Sequence, residues 1–236
     1  MLTWPVVVRG GTARHHGTVT PPPPPAAGSR PRLTLYLVRH GETVFNVRDL
    51  VQGWVDSPLT PRGVEQARRA ADQLRRRRLV AAYSSTSERC LDTAEVILAH
   101  HPHLSVVPRR ELKELHFGEL EALPNEEFLA RVDVEAFFAS VVSGGEMGVP
   151  GGETGAVYRR RVDAVFADIV ANHPDGGEVL VVSHGVTIAT YLSTVGWGTP
   201  GPLANASISV VRVDGAGRAR LASVGLEQLT GDGAVV

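Results

Sequence analysis

Two histidines in this chain follow short apolar runs, and a glycine follows each at once. Arg39-His40-Gly41 comes after "LTLYLV" (33–38), and Ser183-His184-Gly185 closes "EVLVVSHG" (178–185). A third run, "LVAAYSS" (79–85), leads through "TSER" to Arg89. If all three runs are strands of one sheet, two imidazoles and two guanidiniums converge beyond its carboxyl ends, where open α/β sheets bind ligands. That set suits a phosphoryl dianion. A guanidinium is planar, permanently charged and able to donate two bonds at once to phosphate oxygens. An imidazole can attack phosphorus when an acceptor holds its other ring nitrogen. Gly41 and Gly185 would permit a sharp exit from each strand and close approach of backbone to a ligand. Each signal is weak singly, and a solvated strand end is the plain alternative.

The surrounding sequence supplies elements that could position these groups. "TPRGVEQARRAADQLRRRR" (60–78) reads as an amphipathic helix, with Thr60 as N-cap and Pro61 at the first helical position. Val64, Ala67, Ala71 and Leu74 recur at helical spacing, and the arginines take the solvated face. A helix is expected from about Glu88 to His100, a strand over 104–108 and a helix over 125–142. The loop "GVPGGET" (148–154) opens a long helix to about Asn172, and a further helix follows His184. Residues 207–224 alternate and contain Asp214-Gly215, a hairpin signal. Strands alternating with helices, closed by a hairpin, predict an α/β fold. It is a three-layer α/β/α sandwich whose mixed sheet is mostly parallel with antiparallel pairing.

Composition bounds the function. The 236 residues suffice for one such domain, and Lys+Arg 24 against Asp+Glu 25 leaves a net charge of −1. That balance points to no nucleic-acid or membrane partner. Cys90 is the only cysteine, so no intramolecular disulfide and no cysteine-based zinc cluster can form. No apolar run approaches the roughly 18 residues of a membrane span. The N-terminus lacks the pattern of a secretory signal, so a cytoplasmic protein is expected. Residues 1–31 contain "TVTPPPPPAAGSRP" and read as a disordered Pro-rich leader. No apolar strand precedes the "RHHG" at 14–17, which sets it apart from the later motif. The folded domain is placed at 32–229 and a flexible tail at 230–236.

Further stretches extend the pattern. "RHGET" (39–43) with Asn46, "VQGWVDSPLTPRGVEQA" (51–67), "YSSTSERCLDTA" (83–94), "LKELHFGELEAL" (112–123), "PGGET" (150–154), "VVSHG" (181–185) and "LANASIS" (203–209) stand in order. Together they resemble the histidine phosphatase superfamily, whose fold is also called phosphoglycerate mutase-like, over about residues 32–225. The resemblance implies that His40 is the nucleophile and forms a phosphohistidine. It implies that Arg39, Asn46, Arg89 and His184 bind the phosphoryl oxygens. Glu114 would protonate the leaving alkoxide and then serve as base for water. Thr43, Gln52 and Gly53 are the expected substrate contacts, with Trp54 at the rim. No metal or cofactor is implied, because arginines supply the charge that stabilises the transferring group.

Other residues invite chemistry and have plainer readings. Glu111, Glu119 and Glu121 are alternative acids to Glu114. Ala122 stands where the family pattern expects glycine. Glu153 reads as a cap on the following helix. "HHPH" (100–103) reads as a frayed, solvated helix end rather than a metal site. Cys90 reads as a packed small residue, and Trp197 as packing.

Phosphatase and mutase share such a site and differ around it. Between Glu121 and Gly151 the only base is Arg131, against Glu126, Glu127, Asp133, Glu135 and Glu146. An acidic segment would repel a second phosphate. A phosphomonoester phosphatase acting on a small phosphorylated metabolite is therefore expected, with residues 120–150 covering the site and setting the choice of substrate. Phosphoglycerate mutase-type transfer is the alternative, and a non-catalytic phosphoryl-ligand binder a remoter one. A monomer or a homodimer fits equally well.

Overall fold

Along Leu33–Arg39 the side chains alternate between two buried environments. Leu33, Leu35 and Leu37 join one apolar cluster, and Tyr36 and Val38 join another. Alternation of this kind places the strand between two covered faces of a sheet. The computed structural model describes residues 32–198 and 201–226. The expected leader at 1–31, with its "RHHG", and the tail at 230–236 lie outside the described residues.

Six strands form the sheet: β1 (Leu33–Arg39), β2 (Leu79–Ser85), β3 (Val106–Arg109), β4 (Gly177–Ser183), β5 (Ile208–Val213) and β6 (Ala219–Leu226). Their order is β3-β2-β4-β1-β5-β6. The pairs β1–β4, β2–β4 and β2–β3 are parallel, and β1–β5 and β5–β6 are antiparallel. Seven α-helices accompany them among the described residues: α1 (Val44–Val47), α2 (Pro61–Leu74), α3 (Glu88–Leu98), α4 (Asn125–Arg131), α5 (Val134–Ser143), α6 (Gly155–Ala171) and α7 (Gly185–Thr194). Residues of α2 and α3, among them Ala71, Leu74, Cys90 and Ile97, pack on the Tyr36 face. Residues of α5, α6 and α7, among them Phe137, Tyr158, Phe166 and Ile188, pack on the Leu35 face. This is the three-layer mixed sheet that the alternation of runs predicts.

Three elements depart from the expected boundaries. The helix from Pro61 stops at Leu74, its last buried position, because Arg75–Arg78 have nothing apolar to bury and must turn the chain into β2. The single helix expected over 125–142 is two helices. Val132 is extended, and the Asp133 side chain caps α5 by accepting the Ala136 N–H. The short α1 has no apolar period. A capping box makes it: Thr43 Oγ1 accepts from Asn46 N, and Asn46 Oδ1 accepts from Thr43 N.

The "HHPH" segment is solvated at His100, Pro102 and His103, but His101 is packed. His101 is buried and hydrogen-bonded to the Leu74 backbone, and burial lowers its pKa below the ordinary imidazole value. His103 Nε2 donates to Leu79 O at 3.2 Å. The segment therefore ties the end of α3 to α2 and β2. Glu153 is not the cap of α6. Thr154 is, accepting from Val157 N, while Glu153 pairs with Arg161 at 2.6 Å.

Candidate active site

Parallel pairing of β1 with β4 sets Arg39 level with Ser183. The next residues, His40 and His184, therefore leave the sheet side by side, with ring centroids 5.4 Å apart. His40 N donates to Ser183 O at 3.0 Å and fixes that register. His40 is buried and lines a cavity of about 80 Å³ together with Arg39, Asn46, Gln52 and Glu114.

The His40 ring nitrogens have distinct roles. Nδ1 lies 2.8 Å from Gly41 O. A carbonyl only accepts, so Nδ1 carries the proton and Nε2 keeps its lone pair. Burial and the nearby charges of Arg89 and Arg39 hold the His40 pKa well below the ordinary 6.5, which keeps the ring neutral. Gly41 N in turn donates to Thr93 Oγ1 on α3, whose hydroxyl bonds to Arg89 O. One turn of α3 thus sets both Arg89 and the loop behind His40.

A backbone approach does require Gly41, as expected of that position, but the partner is protein. A Cβ there would stand 2.4 Å from Gly63 O, at the start of α2. Gly63 is equally constrained, since its Cβ would meet Glu42 O at 2.1 Å. Gly185 has ordinary room, the nearest atom to its Cβ being Arg39 Nε at 3.5 Å.

The guanidiniums are partly committed. Arg39 donates through Nη1 to Leu203 O. Burial lowers its pKa to about 10, against the opposing influence of Glu114, so it stays cationic at neutral pH. Arg89 is wholly buried on α3. Its Nη1 pairs with Asp56 at 2.7 Å, and its Nη2 donates to Gly53 O at 2.7 Å and to His184 Nδ1 at 3.0 Å. The Nε–H groups of Arg39 and Arg89 are both buried without an acceptor. Unpaired buried donors are uncommon, and two on neighbouring guanidiniums are what an anion with several oxygens would satisfy.

His184 is pinned at both nitrogens. Arg89 can only donate, so His184 Nδ1 accepts and its proton sits on Nε2, 2.8 Å from Ser85 Oγ. Its pKa is also well below 6.5, first through burial and then through Arg89. Cys90 packs beneath it, with Sγ 3.5 Å from Nε2, and burial drives its thiol pKa upward.

Glu114 sits at the N-terminus of α7. Oε2 accepts from Val186 N at 2.9 Å, and Oε1 from Thr187 N at 3.1 Å and Thr187 Oγ1 at 3.0 Å. The carboxylate does for α7 what its own N-cap residue, His184, does not. Tyr158 Oη, 3.2 Å from Oε1, completes the cradle. The other carboxylates are placed elsewhere. Glu121 accepts from Trp54 N and Phe117 N, Glu111 pairs with Arg109 at the surface, and Glu119 is exposed.

Of the remaining expected contacts, Asn46 and Gln52 line the cavity, and Thr43, Gly53, Arg89 and His184 do not. Asn46 Oδ1 accepts from Asn205 Nδ2 at 3.1 Å as well as from Thr43 N, which leaves its own Nδ2 free to donate. Thr43 caps α1 and bonds to Gln52, and the Gly53 carbonyl holds Arg89. Trp54 donates through Nε1 to Glu114 O and packs on His116. Trp197 packs against the larger core cluster. Sequence reasoning missed Asp56, Tyr158, Thr187 and Asn205. Asp56 and Asn205 lie within the family-like stretches at 51–67 and 203–209, but each of the four acts only through a partner far along the chain. No group of three or more His, Cys, Asp or Glu side chains among the described residues is arranged to hold a metal.

An imidazole with a free nitrogen, guanidiniums with unpaired donors and a carboxyl group, gathered at the ends of parallel strands, define a phosphoryl-transfer class of site on an α/β sheet. The sequence model of the histidine phosphatase superfamily (branch 1) matches residues 35–225. A probable phosphoglycerate mutase, GpmB, of Enterobacter sp. (strain 638) is 35% identical over 212 residues, covering 85% of this chain and 93% of its own. A metal-independent phosphoserine phosphatase of Arabidopsis thaliana is 37% identical over 185 residues, covering 76% of each chain. Among solved structures, Bacillus stearothermophilus YhfR superposes with a TM-score of 0.71 at 30% identity, covering 86% of this chain and 98% of that one. The chain belongs to the histidine phosphatase superfamily and is an enzyme of it.

Proposed function

We propose that this chain hydrolyses phosphomonoesters of small metabolites through a phosphohistidine formed on His40. The observation that carries this reading is the His40 ring, with Nδ1–H held on Gly41 O and Nε2 free, in a cavity shared with Arg39 and Glu114. The Nε2 lone pair attacks phosphorus in line with the ester oxygen. As the P–O bond breaks, the Glu114 carboxyl gives its proton to the leaving oxygen. Water then enters on the same side. Glu114 takes its proton, the water oxygen bonds to phosphorus, the N–P bond breaks, and neutral His40 is restored. The Nε–H groups of Arg39 and Arg89 and the Asn46 amide take the equatorial oxygens, and His184 holds Arg89 in place through its Nδ1. Two guanidiniums supply the positive charge that a metal ion supplies in other phosphoryl-transfer sites. The near-neutral balance of charge supports a diffusible substrate rather than a nucleic acid or a membrane, and the reading places the enzyme in the cytoplasm. No described helix is long and apolar enough to cross a membrane.

Hydrolysis is favoured over mutase-type transfer by the segment over the site. Arg131, its only base, lies at the exposed end of α4 and pairs with Glu127. Arg39 and Arg89 are both engaged by the first phosphoryl group, and no further arginine or lysine lines the cavity for a bisphosphate. The deciding assay follows phosphate release from a panel of monoesters, beside isomerisation of 3-phosphoglycerate with and without bisphosphoglycerate. Phosphate release well above any isomerisation is expected. Efficient isomerisation with negligible hydrolysis would overturn the hydrolase assignment.

A further inference from the structure

We infer that the site selects esters whose alcohol portion is apolar and uncharged, carrying neither a carboxylate nor a second phosphate. The inference rests on the phosphatase reading and extends it to the leaving group. The cavity lining divides in two by chemistry. Arg39, His40, Asn46, Gln52 and Glu114 are its polar members, and Leu50, Phe117, Phe138, Val186 and Leu203 supply most of the remaining wall. The polar groups are used by the phosphoryl group and its chemistry. What remains to meet the alcohol is mostly hydrocarbon.

An anionic substituent has no counter-ion on that wall. Arg39 already donates to Leu203 O, and its unpaired Nε–H goes to the phosphoryl oxygens. Arg110 and Lys113 lie over the Trp54 ring, 5.0 and 4.9 Å from its centroid, and neither lines the cavity. A carboxylate placed against Phe117 and Phe138 would lose its water and gain no partner.

The wall is also built to stay apolar. Phe117 and Phe138 are 1% and 3% exposed. Phe117 meets Phe128 edge to face at 5.6 Å, and Phe138 meets Phe137 at 5.3 Å, so both rings are rooted in the main core cluster. Such rings cannot swing aside to admit solvent without disturbing that packing. Phosphoserine and phosphoglycerate, the compounds in the names of two relatives, each carry a carboxylate that this wall does not accommodate.

The test compares kcat/KM of the full chain for benzyl phosphate and 4-carboxybenzyl phosphate. Their leaving alcohols are of nearly equal acidity, so the distal charge is the main difference. Benzyl phosphate should be preferred by at least about tenfold. Leu50→Arg, or Pro202→Lys from an exposed position of the same wall, should narrow that ratio through a gain on the carboxylated ester. Equal rates, or preference for the carboxylated ester, with good turnover of both would overturn the apolar selection and leave the hydrolase reading intact. No phosphate release from these or any other monoester would remove the hydrolase reading and this inference with it.

Discussion

At the scale of single residues, the Glu114 carboxyl and the His40 ring carry the proposed chemistry, and each is held by groups that do none. Glu114→Gln should slow alkyl phosphate hydrolysis about 10²–10⁴-fold and aryl phosphates much less, because only a poor leaving group needs the proton. Equal losses on both, measured in steady-state kinetics, would count against Glu114 as the acid. Tyr158 is a positioning residue: its hydroxyl meets both Glu114 Oε1 and Thr187 Oγ1. Tyr158→Phe should lower kcat on alkyl esters more than on aryl esters while leaving KM nearly unchanged. A purely structural residue would lower both classes alike. Arg39, His40, Arg89 and Glu114 were legible in the sequence because each sits in a short motif at a strand or helix boundary. Tyr158, Thr187 and Asp56 were not, since a hydroxyl within a helix or an aspartate in a loop gains meaning only from a partner across the fold. Thr43 was legible as a site-proximal residue, but its hydroxyl is spent on α1 and Gln52.

At the scale of elements, two backbone positions show how the loops are fixed. The start of α2 passes so close to the loop after His40 that neither Gly41 nor Gly63 has space for a methyl group. Gly63→Ala should destabilise the protein by about 2 kcal/mol or more, since backbone cannot yield as a side-chain tip can. Urea denaturation would measure it, and a change within about 0.5 kcal/mol would contradict the close approach. Ala122 has φ of 64°, in the left-handed region that favours glycine. Ala122→Gly relieves a strain of about 1–2 kcal/mol and loosens the unfolded chain by up to about 1 kcal/mol, so a net gain of up to about 1 kcal/mol is expected. Strands and long helices could be read because their buried faces impose a period on the sequence. The break at Val132–Asp133 and the helix α1 are set by capping, which leaves no apolar period. Within "HHPH" only His101 is buried, and its packing depends on α2, so local polarity did not show it.

At the scale of the whole molecule, the fold brings four separated segments to one edge of the sheet and buries their histidines without charge. Burial and neighbouring Arg89 depress the pKa values of His40 and His184 below 6.5, while the unfolded chain takes up protons at the ordinary value. The unfolded state thus binds more protons as pH falls. Stability should be full above about pH 6.5 and decline as pH falls below it. Urea titrations at pH 7 and 5 would read this out, and unchanged stability would contradict a neutral, buried pair. The central claim is that His40 takes the phosphoryl group, and it is tested most directly by rapid quenching with a labelled monoester. The wild-type chain should yield an acid-labile, base-stable label on His40, and His40→Ala should yield none. Equal labelling of the two proteins, or turnover by wild type with no such intermediate at any quench time, would contradict it.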